Sequence, residues 1–291
     1  MSNDPKKERD EVTGVETTGH EWDGLKELNN PAPRWWLWVF FVTVIWSIGY
    51  WVVYPAWPTM SGHTEGVRGW SSYKKLAAEQ QEITARRGVF AEKIQSHSLN
   101  EIESDPELYA FAVAGGRTYY KENCAACHGT GAQGGPGYPN LNDDDWIWGG
   151  DLEAIYATLK HGVRSGHTQA RDSQMPAFGG MLTPAQIGAV TQHVQSLSGK
   201  AEPNEEGATI FAQNCASCHG ETGHGNRELG APNLADAIWL YGVDAGRIAT
   251  QIRSPRHGVM PAWEDRLPDS VIKQLTIYVH ALGGGEAEPR E

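Results

Sequence analysis

Gly116-Arg-Thr-Tyr-Tyr-Lys-Glu-Asn-Cys124-Ala-Ala-Cys127-His128-Gly129 and Gly207-Ala-Thr-Ile-Phe-Ala-Gln-Asn-Cys215-Ala-Ser-Cys218-His219-Gly220 are one pattern written twice, 91 residues apart. Outward from it the repeat continues. Pro139-Asn-Leu141 and Trp146 return as Pro232-Asn-Leu234 and Trp239, His161-Gly-Val163 as His257-Gly-Val259, and Met175-Pro-Ala-Phe178 as Met260-Pro-Ala-Trp263. The offset drifts because loops differ in length, chiefly between Val163 and Met175. Ile187, Val190, Val194 and Leu197 behind Thr183-Pro-Ala-Gln186, and Ile272, Leu275, Val279 and Leu282, predict a closing helix in each half. Each half therefore runs helix, Cys-x-x-Cys-His, Pro-Asn-Leu, helix, Met-Pro, helix. This order predicts an all-α protein with two tandem domains, residues 104–198 and 207–283, joined by a linker at 199–206.

The chemistry follows from the cysteines. All four lie in the two pairs, which is too few for a disulfide scaffold in 291 residues. Cys-x-x-Cys followed by His is the attachment signature of c-type haem. Cys124 with Cys127, and Cys215 with Cys218, can each form two thioethers to one porphyrin, leaving His128 and His219 beside the iron. Met175 and Met260 are the candidates for the opposite axial position. A thioether is a soft ligand that raises the reduction potential and suits reversible one-electron transfer, and the Pro after each Met stiffens its loop. Two covalently bound haem c groups are expected. Structural zinc would place the second Cys pair about 15–20 residues after the first, and a thioredoxin-type dithiol would need a βαβ setting; neither fits.

Met181 is expected to pack. His161 and His257 are rivals for a bis-His arrangement, with loop positions the commoner outcome. His167, His193, His224 and His280 show no partner pattern and are expected in solvent. Trp146 and Trp239 suit either core packing or donation to haem propionates, and Asp143-Asp-Asp145 reads as a solvated turn. With 24 basic and 36 acidic residues, net −12, the chain lacks the basic surface that nucleic acid requires.

Trp35 to Tyr54 contains no charged residue. As a helix, twenty residues span about 30 Å, the thickness of a bilayer's hydrocarbon core. Trp35, Trp36 and Trp38 gather at one end and Tyr50, Trp51, Tyr54 and Trp57 at the other, where amphipathic rings favour the headgroup level. A cleaved signal would have a shorter apolar region, nearer the first residue and ending in small side chains. A single uncleaved transmembrane helix at 35–54 is expected. Lys26 and Arg34 before it balance Arg68 and Lys74 after it, so charge does not orient it. Haem attachment outside the bacterial cytoplasm does: residues 1–34 are expected inside and the haem domains in the periplasm. Residues 55–103 read as a helical stalk, with an exposed helix from about Ser71 to His97. Ser104-Asp-Pro-Glu107 reads as a cap before a helix to about Glu122, and 284–291 as a flexible tail.

Two c-haem domains behind one anchor resemble the dihaem subunit of cbb3-type cytochrome c oxidases, the CcoP or FixP family. The sharpest likeness is Asp23-Gly-Leu-Lys-Glu-Leu-Asn-Asn-Pro-Ala-Pro-Arg-Trp-Trp36 with Gly49-Tyr-Trp-Val-Val-Tyr-Pro-Ala-Trp-Pro58, which is similar to the family's anchor signature. The resemblance implies a bacterial inner-membrane protein without catalysis of its own. It would accept electrons from a donor cytochrome c or the bc1 complex and pass them through a monohaem cytochrome c subunit to a haem–copper catalytic subunit, which reduces dioxygen and pumps protons. Resemblance to c-type cytochromes makes the Pro139 and Pro232 carbonyls the partners of the two histidines. Domain-by-domain analogy gives each haem its own half's Met, whereas the family pattern gives Met260 to the first haem and Met175 to the second. A free-standing anchored dihaem shuttle and a dihaem cytochrome c peroxidase are the alternatives; the latter needs an open iron site.

Overall fold

Asp23-Gly24 closes an antiparallel hairpin in which β1 (Thr17–Trp22) pairs with β2 (Leu25–Leu28), Trp22 opposite Leu25. Both turn residues have positive φ, 49° and 86°, the conformation of the two-residue turn that Asp-Gly favours. This hairpin is an addition to the helical architecture, and Asp-Gly was its overlooked signal. Arg34–Val53 forms α1, twenty residues with none buried. Its two aliphatic hydroxyls are satisfied by its own backbone: Thr43 Oγ1 donates to Phe40 O (2.7 Å) and Ser47 Oγ to Thr43 O (2.8 Å), as a span without water requires. A minimal hairpin follows, β3 (Pro58–Thr59) with β4 (Gly62–His63), and then α2 (Ser72–Ser96).

The computed structural model describes residues 8–287, so the outermost parts of the expected cytoplasmic segment and tail, 1–7 and 288–291, lie outside the described residues. The chain divides into two compact units between Thr84 and Ala85. The second unit holds both repeats. It continues with α3 (Leu99–Ser104), α4 (Pro106–Asn123), α5 (Ala125–His128), α6 (Leu152–His161), α7 (Pro184–Leu197), α8 (Glu205–Asn214), α9 (Ala216–His219), α10 (Ala245–Arg253) and α11 (Asp269–His280).

Caps mark the starts. Asp105, rather than Ser104, caps α4 by accepting from Glu107 N and Leu108 N; Ser104 Oγ instead donates back to Asn100 O. Thr183 and Gln186 form the expected capping box of α7, and Asp151, Asn204 and Asp244 cap α6, α8 and α10. Each such cap is worth about 1 kcal/mol. The C-terminal end of α2 does not stand free as a stalk. Ile94 is fully buried with Leu99, Ile102, Leu108 and Ile277, and Lys273 Nζ donates to the carbonyls of Gln95 (3.0 Å) and His97 (2.7 Å).

The closing helices cross over. α11, from the second half of the sequence, packs on α4 and α6, whereas α7, from the first half, packs on α8 and α10. Tyr120, Cys124, Ile155 and Leu159 share one core with Val271, Ile272, Leu275 and Val279. Ile187, Val190 and Val194 share the other with Ile210, Phe211, Ile248 and Ile252. Each core thus combines the two sequence intervals 104–198 and 207–283. At the crossing, Val163 and Met260 exchange backbone hydrogen bonds (3.0 and 2.9 Å), and Phe178 N and Gly179 N donate to Ile252 O and Arg253 O. Gly162 is needed there: its φ is +74°, and a Cβ would stand 2.4 Å from Met260 O.

Candidate metal centres

α4 ends at Cys124, which is 8% exposed, and the next turn, α5, carries Cys127 and His128. Cys127 N and His128 N both donate to Cys124 O, at 3.1 and 2.9 Å, so the two thiols sit one helical turn apart. Gly129 stops the turn at φ +84°, and Tyr120 Oη donates to its carbonyl at 2.9 Å. His128 Nδ1 lies 3.0 Å from Pro139 O. A carbonyl can only accept, so Nδ1 carries the proton and Nε2 presents its lone pair.

The second centre repeats this. Cys218 N and His219 N donate to Cys215 O at 3.1 and 2.9 Å, and His219 Nδ1 lies 3.1 Å from Pro232 O. Burial lowers both histidine pKa values, against the opposing pull of the proline carbonyls, which favours the neutral imidazole that a metal needs. Burial pushes the Cys124 and Cys215 thiols up to about 11. A redox dithiol works through a depressed thiol pKa, so these pairs have the opposite character.

Met260 packs against the core containing Cys124, and Met175 against the core containing Cys215. Met181, expected to pack, is instead 67% exposed. The arrangement therefore brings together Cys124, Cys127, His128, Pro139 and Met260 in one region, and Cys215, Cys218, His219, Pro232 and Met175 in the other. The two regions adjoin. Gly137 N donates to Leu240 O at 2.8 Å, beside a cleft of about 310 Å³ lined by Pro139, Asn140 and Asp145 from one loop and Trp239, Tyr241 and Arg247 from the other. The donor set fits a covalently held iron porphyrin: paired thiols on one turn, a neutral imidazole with a free Nε2, and a thioether in the same core.

Trp146 and Trp239 pack against the two cores, one of their two expected uses, and His257 takes the expected loop position, whereas the solvent placement of His167, His193 and His280 is corrected. Trp146 Nε1 donates to Gly284 O (2.6 Å) and Trp239 Nε1 to Asp236 O (3.2 Å), so both indoles are already committed to backbone. His257 Nε2 lies 3.1 Å from Met175 O, which occupies it as a loop brace. His193 packs on Phe211, with ring centroids 5.2 Å apart, and His280 binds Glu103 (3.2 Å) and Glu286 O (2.9 Å). His167 Nε2 is 2.6 Å from Glu264 and its ring stacks on His161. Gln169 N donates to His167 Nδ1 (3.1 Å), which assigns the proton to Nε2. His161, His167 and Glu264 therefore cluster with Lys160 at the edge; His167 is bonded to Glu264, whereas the buried His161 Nδ1 stays 3.6 Å from that carboxylate without a hydrogen-bond partner. The expected loose tail is held as far as Glu286, whose carboxylate receives Gly150 N and both Nη atoms of Arg227. Of the acidic run, Asp145 is half-buried beside Asp236 and its pKa is raised to about 6, by burial first.

Comparison with known proteins decides the family. Residues 14–61 match the N-terminal domain of cytochrome oxidase-cbb3, FixP, and residues 111–194 and 202–279 match cytochrome c oxidase, cbb3-type, subunit III. The chain belongs to the cbb3-type oxidase subunit III family. It is 53% identical to the cbb3-type cytochrome c oxidase subunit FixP of Sinorhizobium medicae strain WSM419, over 97% of this chain and 99% of that one. It is also 53% identical to FixP of Bradyrhizobium sp. strain ORS 278, over 96% and 98% of the two chains. With the subunit CcoP of Cereibacter sphaeroides the identity is 47%, over 93% and 95%. Membership in subunit III makes the chain a c-type cytochrome with covalent haem and an N-terminal membrane anchor. The β1–β2 hairpin lies inside the FixP-type N-terminal match. Sequence reasoning missed Arg164, whose side chain reaches both Met-Pro loops; its one signal was its place beside the His-Gly-Val repeat.

Proposed function

We propose that this chain is a membrane-anchored dihaem cytochrome that accepts electrons from a donor cytochrome c or the bc1 complex. It hands them through a monohaem cytochrome c subunit to the haem–copper catalytic subunit of a cbb3-type terminal oxidase. Residues 1–34 face the cytoplasm and the haem domains the periplasm. The single observation that carries the reading is the pairing, in each core, of one Cys-x-x-Cys-His turn with one Met-Pro loop. Cys124 and Cys127 would hold the first haem covalently, with His128 and Met260 as its iron ligands; Cys215 and Cys218 would hold the second, with His219 and Met175 as its iron ligands. Haem c when bound supplies a reversible one-electron couple. The chain's residues do the rest. The Pro139 and Pro232 carbonyls orient the two imidazoles, the apolar cores exclude water, and the joined loops at Gly137 and Leu240 bring the two centres side by side. Held by His and Met together, each iron would leave peroxide or dioxygen no place to bind, and the chain would carry electrons without bond chemistry of its own.

The test is near-infrared magnetic circular dichroism of the oxidised, haem-loaded chain, wild type against Met175→His and Met260→His. Wild type is expected to show two Met-ligated low-spin irons, and each variant to convert one of them to bis-His ligation. Met260→His should alter the haem on Cys124 and Cys127, assigned by removing the other Cys pair. A high-spin or bis-His iron in wild type overturns the ligand set and reopens a peroxidase role. Oxidase preparations in which the chain does not co-purify with haem b and copper would favour the free-standing shuttle.

A further inference from the structure

Arg164 occupies the crossing of the two loops. Its Nε donates to Gly258 O at 2.7 Å and its Nη1 to Ser173 O at 2.9 Å. Gly258 lies two residues before Met260 and Ser173 two residues before Met175. One half-buried guanidinium therefore holds the approach to both distal methionines. The backbone is bent to allow it: Arg164 is one of three non-glycine residues with positive φ among the described residues, at +51°. That conformation is costly for a side chain of this size and persists where surrounding contacts over-determine it. Arg164 N donates to Arg171 O (2.8 Å) and Arg171 N to Gly162 O (3.0 Å), which closes the turn. The neighbouring ionisable groups that act on the guanidinium are Asp172 and Tyr241. Arginine stays protonated in proteins, so its charge at this point is fixed, and its planar fork serves the two acceptors from separate nitrogens held in one rigid geometry.

We propose that Arg164 is a shared positioning residue that sets the ligation and potential of both haems together by tying the Met175 loop to the Met260 loop. The inference rests on the Met ligation proposed above. A fixed positive charge favours the reduced, less positive iron, and a held loop keeps the thioether on it, so both effects raise the two potentials. Loss of the fork lowers both. His257, three residues before Met260, is a single-bond tie between the same two loops, since its Nε2 meets Met175 O.

The experiment is anaerobic potentiometric titration with near-infrared magnetic circular dichroism on the haem-loaded full chain. Wild type is compared with Arg164→Gln, Arg164→Lys and His257→Ala. The expected result is that Arg164→Gln lowers both midpoints and weakens both Met–iron bands. Arg164→Lys, which keeps the charge and loses the planar fork, does so less, and His257→Ala, which removes one bond between the same loops, moves both by less than Arg164→Gln. If Arg164→Gln does not retain haem, Arg164→Lys alone still decides whether both bands move. A change confined to one haem, or to thermal stability with both bands and midpoints intact, overturns the proposal. A wild-type spectrum without Met-ligated iron instead overturns the ligation reading and the positioning role with it, whereas intact wild-type bands that the Arg164 variants leave unmoved overturn the positioning role alone.

Discussion

At the scale of single residues, the two centres use ordinary side chains in restrained settings. A proline cannot donate from its nitrogen, yet its carbonyl accepts, and Pro139 and Pro232 fix the tautomer of His128 and His219 by that one bond each. Elsewhere a residue is held against its ionic preference. Burial, then Asp236 and Asp143, raise the Asp145 carboxyl to about 6. The native state therefore keeps a proton that the unfolded chain loses near pH 4. Stability from this group is full below about pH 4, falls as pH rises towards 6, and stays reduced above. Asp145→Asn is expected to leave thermal unfolding of the haem-loaded chain unchanged at pH 4. At pH 7 it should raise stability by about 1 kcal/mol after allowance for solvent screening, and unfolding curves across that range check it.

Among elements, the helix pairs α4–α11 and α7–α8 carry the two cores, and each crosses at a glycine from the repeated motif. A Cβ on Gly116 would stand 2.2 Å from Gln274 O and 2.5 Å from Tyr278 Cβ; on Gly207 it would stand 2.1 Å from Ala189 O. Backbone cannot give way as a flexible side chain does, so Gly116→Ala and Gly207→Ala should each cost about 1–3 kcal/mol or more, despite alanine's better helix propensity. The consequences should separate. Gly116→Ala displaces α11 and with it the Met260 side of the first centre, whereas Gly207→Ala displaces α7 and the Met175 side of the second. Thermal unfolding together with the near-infrared Met–iron bands of each variant checks both statements.

For the whole molecule, charge is the property that reaches beyond contact distance. From Pro55 onward the chain has 19 basic and 28 acidic residues, net −9. Such a field attracts a soluble donor with a basic face and is screened over about 8–10 Å at physiological salt. Electron delivery from a basic soluble cytochrome to the intact oxidase is expected to slow as ionic strength rises, chiefly in the association rate. Stopped-flow reduction kinetics over a salt series measure it, and a rate independent of salt would contradict it.

The sequence by itself determined the anchor, because twenty uncharged residues have no other stable home than a bilayer or a large core. It also marked the two Cys-x-x-Cys-His turns, because thiols at i and i+3 followed by His have few other uses. The caps and apolar spacing located α2, α4 and α7 to within a residue or two, with the α4 cap at Asp105 instead of Ser104, but not α3, whose Ser98–Glu101 capping box is its own start signal. The hairpin at Asp23-Gly24 is legible locally, because Asp-Gly favours the two-residue turn. Only the tertiary structure decided which Met-Pro loop and closing helix complete which core. The two halves offer near-identical helices, so own-half and exchanged packing make nearly the same local contacts. The choice rests on long-range particulars: a glycine at 162 where Met260 O leaves no space, the Val163–Met260 bridge, and one arginine reaching both loops. No local pattern encodes contacts between residues some ninety positions apart, which is why they emerge with the fold.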